Sequence, residues 1–269
     1  MKWRAAVKLA YDGRDFYGSQ RQPEVPTVED EVIRCLRKIE AIEGAKEARF
    51  RTASRTDRGV SALGNVVAFD TSFSKRSLLR ALNSASESVY YYAWADVPAS
   101  FSPRRASARW YRYFLPAEGL DVEMVSNCAE LFQGRHDFRR FCKEDGRSTV
   151  KTLDKVGVIP LGEFLVIDLE GREFLRNMVR RVVAALQQVG RGRSSLDEVM
   201  RALEGENAQF GLAPPENLCL MEVRYPIDFK AEAPPTLRGK VRKGSQDSFV
   251  RLAFFDNLSS RFEGEDGRL

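Results

Sequence analysis

Histidine is almost missing from this 269-residue chain, which contains His136 and no other. Its four cysteines, Cys35, Cys128, Cys142 and Cys219, are scattered without CxxC spacing. That is poor material for zinc, and Ser-His or Cys-His catalysis would have to pass through one residue. It also argues for reduced thiols in a cytosolic protein over a disulfide framework. No stretch approaches the roughly 18 consecutive apolar residues of a membrane span. The opening Met1-Lys2-Trp3-Arg4-Ala5-Ala6-Val7 is too broken by charge for a secretory signal. A GxxxxGK(S/T) phosphate loop is absent, and Gly190-Arg191-Gly192-Arg193 follows a helical pattern, so an ATP-dependent reaction is not expected. Any enzyme here is expected to rely on carboxylates and to need no cofactor.

What is present describes a globular chain of one large or two medium domains, 43% apolar and 30% charged. The net charge is only +5, with a pI near 9.0, but arginine is clustered. Arg51/Arg55/Arg58, Arg104/Arg105/Arg109/Arg112, Arg135/Arg139/Arg140 and Arg176/Arg180/Arg181 form four groups, and Trp110, Tyr111, Tyr113, Phe138 and Phe141 lie among them. Arginine interleaved with aromatics suits nucleic acid, where phosphates take the charge and bases stack on rings. The plainer alternative is a solvated basic surface.

The hydrophobic periodicity predicts a strand from Trp3 to Tyr11 and then a glycine-punctuated loop. A helix follows Thr27, which with Asp30 approximates a capping box. Strands at 48–54 and 65–70, a helix at 76–86 and a strand at 89–97 complete a β-α-β-β-α-β order. The order then recurs: a strand at 109–115, a helix at 121–132, strands at 152–159 and 164–170, helices at 173–189 and 195–204, and a strand at 218–225. The expected fold is therefore α+β, with two ferredoxin-like halves whose antiparallel sheets join side by side around a central basic cleft. The halves are assigned to residues 1–100 and 101–228. Residues 229–269, rich in Lys, Pro, Gly and Ser, read as a loosely organised tail with one docking segment at 249–255.

Three constellations can carry chemistry. Arg55-Thr56-Asp57 puts an acid among arginines on a turn between strands. A nearby arginine would keep Asp57 ionised, and such a carboxylate suits attack on a sugar carbon or stabilisation of oxocarbenium character. In Arg109-Trp110-Tyr111-Arg112-Tyr113, strand alternation puts both tyrosines on one face, to stack on a base or to fill the core. Along 174–189, Phe174, Met178, Val179, Val182, Leu186 and Val189 share an apolar arc with Arg176 and Arg180 on its flank, either aimed at the sheet edge or forming an ordinary basic face. His136, beside Asp137, reads as structural.

In order along the chain, these blocks resemble the TruA family of tRNA pseudouridine synthases from about Leu9 to Tyr225. Tyr11-Asp12-Gly13, Tyr17-Gly18 and Gln20-x-Gln22 are similar to its N-terminal loop, and Arg55-Thr56-Asp57-x-Gly59-Val60 to its signature. Gly134-x-His136-Asp137-Phe138-x-x-Phe141 resembles a further, structural block. The resemblance implies that Asp57 is catalytic and that Tyr111 stacks on the target uracil. It also implies that Arg180, in Phe174-x-x-x-Met178-Val179-Arg180, pairs with that Asp, and that Leu218, in Leu218-x-Leu220-x-x-Val223, lines the pocket. Arg55 is assigned to the space the flipped base vacates, or to the RNA backbone. The implied reaction converts uridine to pseudouridine in the anticodon stem-loop, among tRNA positions 38 to 40, on a homodimer. Ser19 stands where many members carry Trp, Arg58 where a small residue or lysine is common, Ser61 where bacterial members often have His, and Asn217 where Gly is usual. The short connection after Phe141 looks like that of archaeal or eukaryotic relatives. A silent tRNA-binding protein and a glycosidase remain the rival classes; the second calls for another placed carboxylate, which the Asp57 motif lacks.

Overall fold

A computed structural model describes residues 2–259 and 261. Its strands are β1 (Trp3–Tyr11), β2 (Arg51–Thr52), β3 (Ser61–Thr71), β4 (Val89–Val97), β5 (Ala108–Pro116), β6 (Gly134–Asp137), β7 (Val150–Leu161), β8 (Phe164–Gly171), β9 (Leu218–Arg224) and β10 (Lys230–Ala231). The helices are α1 (Val28–Lys38), α2 (Leu78–Ala85), α3 (Val122–Leu131), α4 (Met178–Gly190), α5 (Leu196–Leu203) and α6 (Pro235–Ser259). All ten strands join one mixed sheet, in the order β10-β4-β1-β3-β9-β5-β8-β7-β6, with β2 paired to β3 off this path.

Local chemistry explains the principal elements. Thr27 caps α1, its hydroxyl accepting from Asp30 N at 3.3 Å, and Val28, Val32, Cys35 and Leu36 form the buried face. Ser195 and Glu198 make a reciprocal capping box on α5. β5 alternates as expected: Arg109, Tyr111, Tyr113 and Leu115 are buried, while Trp110, Arg112 and Phe114 face the more open side. α1 and α2 pack against β4 and each other, and α4 lies against α3 and β5.

One contact positions the site. β3 and β9 pair in parallel over only two steps, Ser61 with Cys219 and Ala62 with Leu220. All other ladders in the sheet are antiparallel. Beyond those steps the backbones stay close: a Cβ added at Gly64 would lie 2.5 Å from Met221 O and 2.8 Å from Glu222 Cα. Only glycine fits there. Lys8 on β1 adds an ion pair to Glu222 on β9.

Three expectations need correction. The helix predicted over 173–189 begins at Met178, because Asn177 is in the left-handed region at φ 63°. Phe174, Leu175 and Arg176 therefore precede the helix, and Arg176 does not share a flank with Arg180. The segment 229–269 is not a loose tail over its described part: it contains β10 and the 25-residue α6. Within α6 only Leu237 is buried, and Phe249, Val250, Leu252, Phe254 and Phe255 are exposed. Finally, the strand expected at 48–54 shortens to Arg51–Thr52, while β3 begins four residues before the expected start at 65.

Candidate active site

Because β3 and β9 run parallel, the segments leading into them emerge side by side. The turn before β3 carries Asp57, and the segment before β9 runs from Phe210 to Asn217. They touch: a Cβ on Gly59 would lie 3.2 Å from both Glu216 Oε1 and Pro215 Cγ. Arg180, near the start of α4, bridges them. Its Nε donates to Ala213 O at 2.7 Å, its own carbonyl accepts from Ala213 N at 3.1 Å, and its Nη1 lies 3.4 Å from Asp57 Oδ2. The Arg180 side chain is 13% exposed and that of Asp57 34%. A shielded guanidinium thus holds one side of a carboxylate that solvent, or a substrate, can still reach.

Tyr111 is buried on β5, its ring meeting the Phe174 edge with centroids 4.9 Å apart. Burial raises its phenol pKa, Arg109 and a hydrogen bond with Ser54 oppose the rise, and the Asp57 charge reinforces it. Tyr113, two residues on, is pushed up to about 12 by burial, with Arg180 opposing and Glu216 adding to the effect. Both rings stay neutral at physiological pH. Leu218 is buried at the first residue of β9, opposite Tyr113 in the ladder.

The structure therefore brings Asp57 and Arg180 together, couples Tyr111 electrostatically to Asp57, and sets Leu218 beside Tyr113. Arg55 stands apart: it is exposed and has no ion pair among the described residues. Exposed Arg58 lies over the Tyr17 ring, 4.1 Å from its centroid.

Two arginines of the supposed nucleic-acid clusters do other work. Arg109 is buried and donates to Ser54 Oγ (2.9 Å), Ala53 O (3.3 Å), Arg104 O (3.1 Å) and Arg172 O. Arg112 makes a two-point bond to buried Asp168, which also accepts from Trp110 Nε1 at 2.8 Å. The Arg109 guanidinium is thus taken up by the fold, while Arg112 is held by Asp168 with its side chain 26% exposed. His136 Nε2 is 2.9 Å from Gln133 O.

Sequence reasoning missed the polar residues beneath the turn: Asn65, Ser19, Ser54 and the hydroxyl of Tyr11. Asn65 was detectable, since a polar amide just before the apolar run Val66-Val67-Ala68-Phe69 of a buried strand needs partners.

The site thus pairs a partly exposed carboxylate with a shielded guanidinium, and a second acid, Glu216, reaches the same turn at Gly59. A family profile described as "tRNA pseudouridine synthase" matches residues 128–226, which include Arg180 and Leu218. That class is an isomerase. Proteins called tRNA pseudouridine synthase A match most of the chain. The one from Pyrococcus abyssi is 46% identical over 226 residues, covering 82% of this chain and 84% of its own. The one from Thermococcus kodakarensis is 43% identical over 256 residues (93% and 94%), and the one from Pyrococcus furiosus 36% over 265 (97% and 96%). The chain belongs to the tRNA pseudouridine synthase A family.

Proposed function

We propose that this isomerase converts uridine to pseudouridine in the anticodon stem-loop of tRNA, among positions 38 to 40, with Asp57 as the catalytic residue. The observation that carries the assignment is the Asp57–Arg180 pair at the meeting of the two strand lead-ins. In the reaction the N1–C1′ bond breaks, the uracil turns, and a C5–C1′ bond forms. The C5 proton leaves to solvent and N1 regains one, so no redox partner or group donor is consumed. A uridine inside a helix is out of reach, so the base is flipped at an unstacking cost of a few kcal/mol. Tyr111 stacks on the extruded uracil, Arg180 fixes the Asp57 carboxylate, Leu218 forms part of the wall, and exposed Arg55 meets the RNA backbone or fills the vacated stack.

The two halves are read as ferredoxin-like units flanking a basic cleft. Support comes from the matching strand orders, β4-β1-β3-β2 in the first half and β9-β5-β8-β7 in the second. The working unit is a homodimer in the cytoplasm, and light scattering at the monomer mass would count against the dimer.

The deciding experiment measures tritium release from tRNA labelled at uridine C5. Intact protein should release label, and Asp57→Ala should be slower by at least roughly a thousandfold, as for loss of a group acting in the transition state. Equal release from the two would sink the assignment, and no release from either, with tRNA still bound, would favour a silent tRNA binder.

A further inference from the structure

The turn that carries Asp57 belongs to no helix or strand, yet its main chain is held on both sides by side chains of other segments. Ala53 N makes an ordinary ladder bond to Val66 O at 2.8 Å. At Ser54 the ladder continues without a backbone partner. The Asn65 amide replaces one, Oδ1 accepting from Ser54 N at 3.3 Å and Nδ2 donating to Ser54 O at 3.0 Å. At Thr56 the same device recurs with Ser19: Thr56 N donates to Ser19 Oγ at 2.7 Å, and Ser19 N donates to Thr56 O at 3.0 Å. Tyr11 joins the two holds, its hydroxyl 2.8 Å from Thr56 Oγ1 and 3.3 Å from Asn65 Nδ2.

Water does not replace these bonds. Asn65 is 0% exposed and Ser19 1%, and Tyr11, Ser54 and Thr56 are buried too. Burial keeps the Tyr11 phenol protonated far above its ordinary range, so it remains available as a donor. The network also reaches β5, the strand that carries the uracil-stacking candidate Tyr111, because Ser54 Oγ accepts from Arg109 Nε at 2.9 Å.

Building on the catalytic reading of Asp57, the geometry points to Asn65, Ser19 and Tyr11 as positioning residues that fix the Asp57 turn relative to Tyr111. Among the described residues the Asp57 carboxylate is bonded by Arg180 and by none of these three. They act by clamping the backbone at Ser54 and Thr56, so their contribution falls on the chemical step and leaves tRNA affinity alone.

The test compares Asn65→Ala, Ser19→Ala, Tyr11→Phe and Thr56→Val with intact protein, reading thermal melting, tRNA dissociation constant and single-turnover rate at saturating enzyme. Variants that melt near the intact protein are expected to bind tRNA within about twofold and to turn over about 10- to 100-fold more slowly, the range for displacing a catalytic group by an ångström. Ser19→Thr, which keeps the hydroxyl, should restore most of the rate lost in Ser19→Ala. Folded variants reacting within about twofold of intact protein would overturn the inference, as would rate losses matched by equal losses of affinity. If Asn65→Ala does not fold, Ser19→Ala and Tyr11→Phe decide the matter. Asp57→Asn in the same assay separates the two levels: an inactive Asp57→Asn beside fully active clamp variants removes only this inference, whereas an active Asp57→Asn removes the catalytic reading beneath it.

Discussion

Arg180 and Asp57 lie 123 positions apart in sequence, yet the guanidinium spans from Ala213 O to the Asp57 carboxylate with two different nitrogens. A lysine presents its donors on one nitrogen and lacks the rigid planar fork that reaches both points. Arg180→Lys is expected to lower the single-turnover rate about 10- to 100-fold through misplacement of Asp57. Arg180→Met, which removes the charge, should be slower still. A lysine variant at full rate would show that only the positive charge matters.

Tyr111→Phe and Tyr111→Ala separate the ring from the hydroxyl. The ring is buried against Phe174, so emptying it should destabilise the protein by roughly 3–5 kcal/mol, as for other buried aromatics. Stacking requires that Phe retain much more activity than Ala. Equal losses in the two variants, measured on protein shown to be folded, would give the role to the hydroxyl.

Gly64→Ala tests the seam between β3 and β9. The added methyl meets backbone atoms at 2.5 and 2.8 Å, and neither can swing aside as a side chain would. A loss of about 1–3 kcal/mol in denaturant unfolding is expected from such overpacking, together with lower activity. Unchanged stability would mean that the strands separate at no cost.

Acid should act on Asp168. Burial raises its pKa, but the bonds from Arg112 and Trp110 outweigh burial and hold the carboxyl below its ordinary 3.8. A depressed folded pKa stabilises the native state above the unfolded value, and that contribution disappears as pH falls from 3.8 toward the folded value. Asp168→Asn should therefore lower stability at neutral pH and flatten the decline below about pH 4. Parallel stability–pH curves for the two proteins would contradict this.

The sequence was most readable where periodicity and burial agree. β1 and β4 occupy the predicted 3–11 and 89–97, where largely apolar runs lie mostly buried within one sheet. The start of α4 was misread because an apolar arc continues through Phe174, while the turn at Asn177 depends on a backbone dihedral that no pattern announces. α6 was missed because its apolar residues, nearly all exposed, do not gather on one buried face. The family resemblance singled out Asp57, Tyr111 and Arg180. It could not separate Arg109, spent on carbonyl oxygens, from an arginine free for phosphate, since that difference lies in tertiary contacts.

The two-step parallel ladder at Ser61–Ala62 and Cys219–Leu220 also orders events in time. Local pairings such as β7 with β8 close short loops, whereas this ladder must bring together segments separated by most of the chain, and loop closure of that length is slow. A refolding molecule can thus regain most of its secondary structure while Asp57 still lacks Arg180. Activity should be among the last properties to return, and a nascent chain cannot assemble the pair until the segment carrying Arg180 has been made.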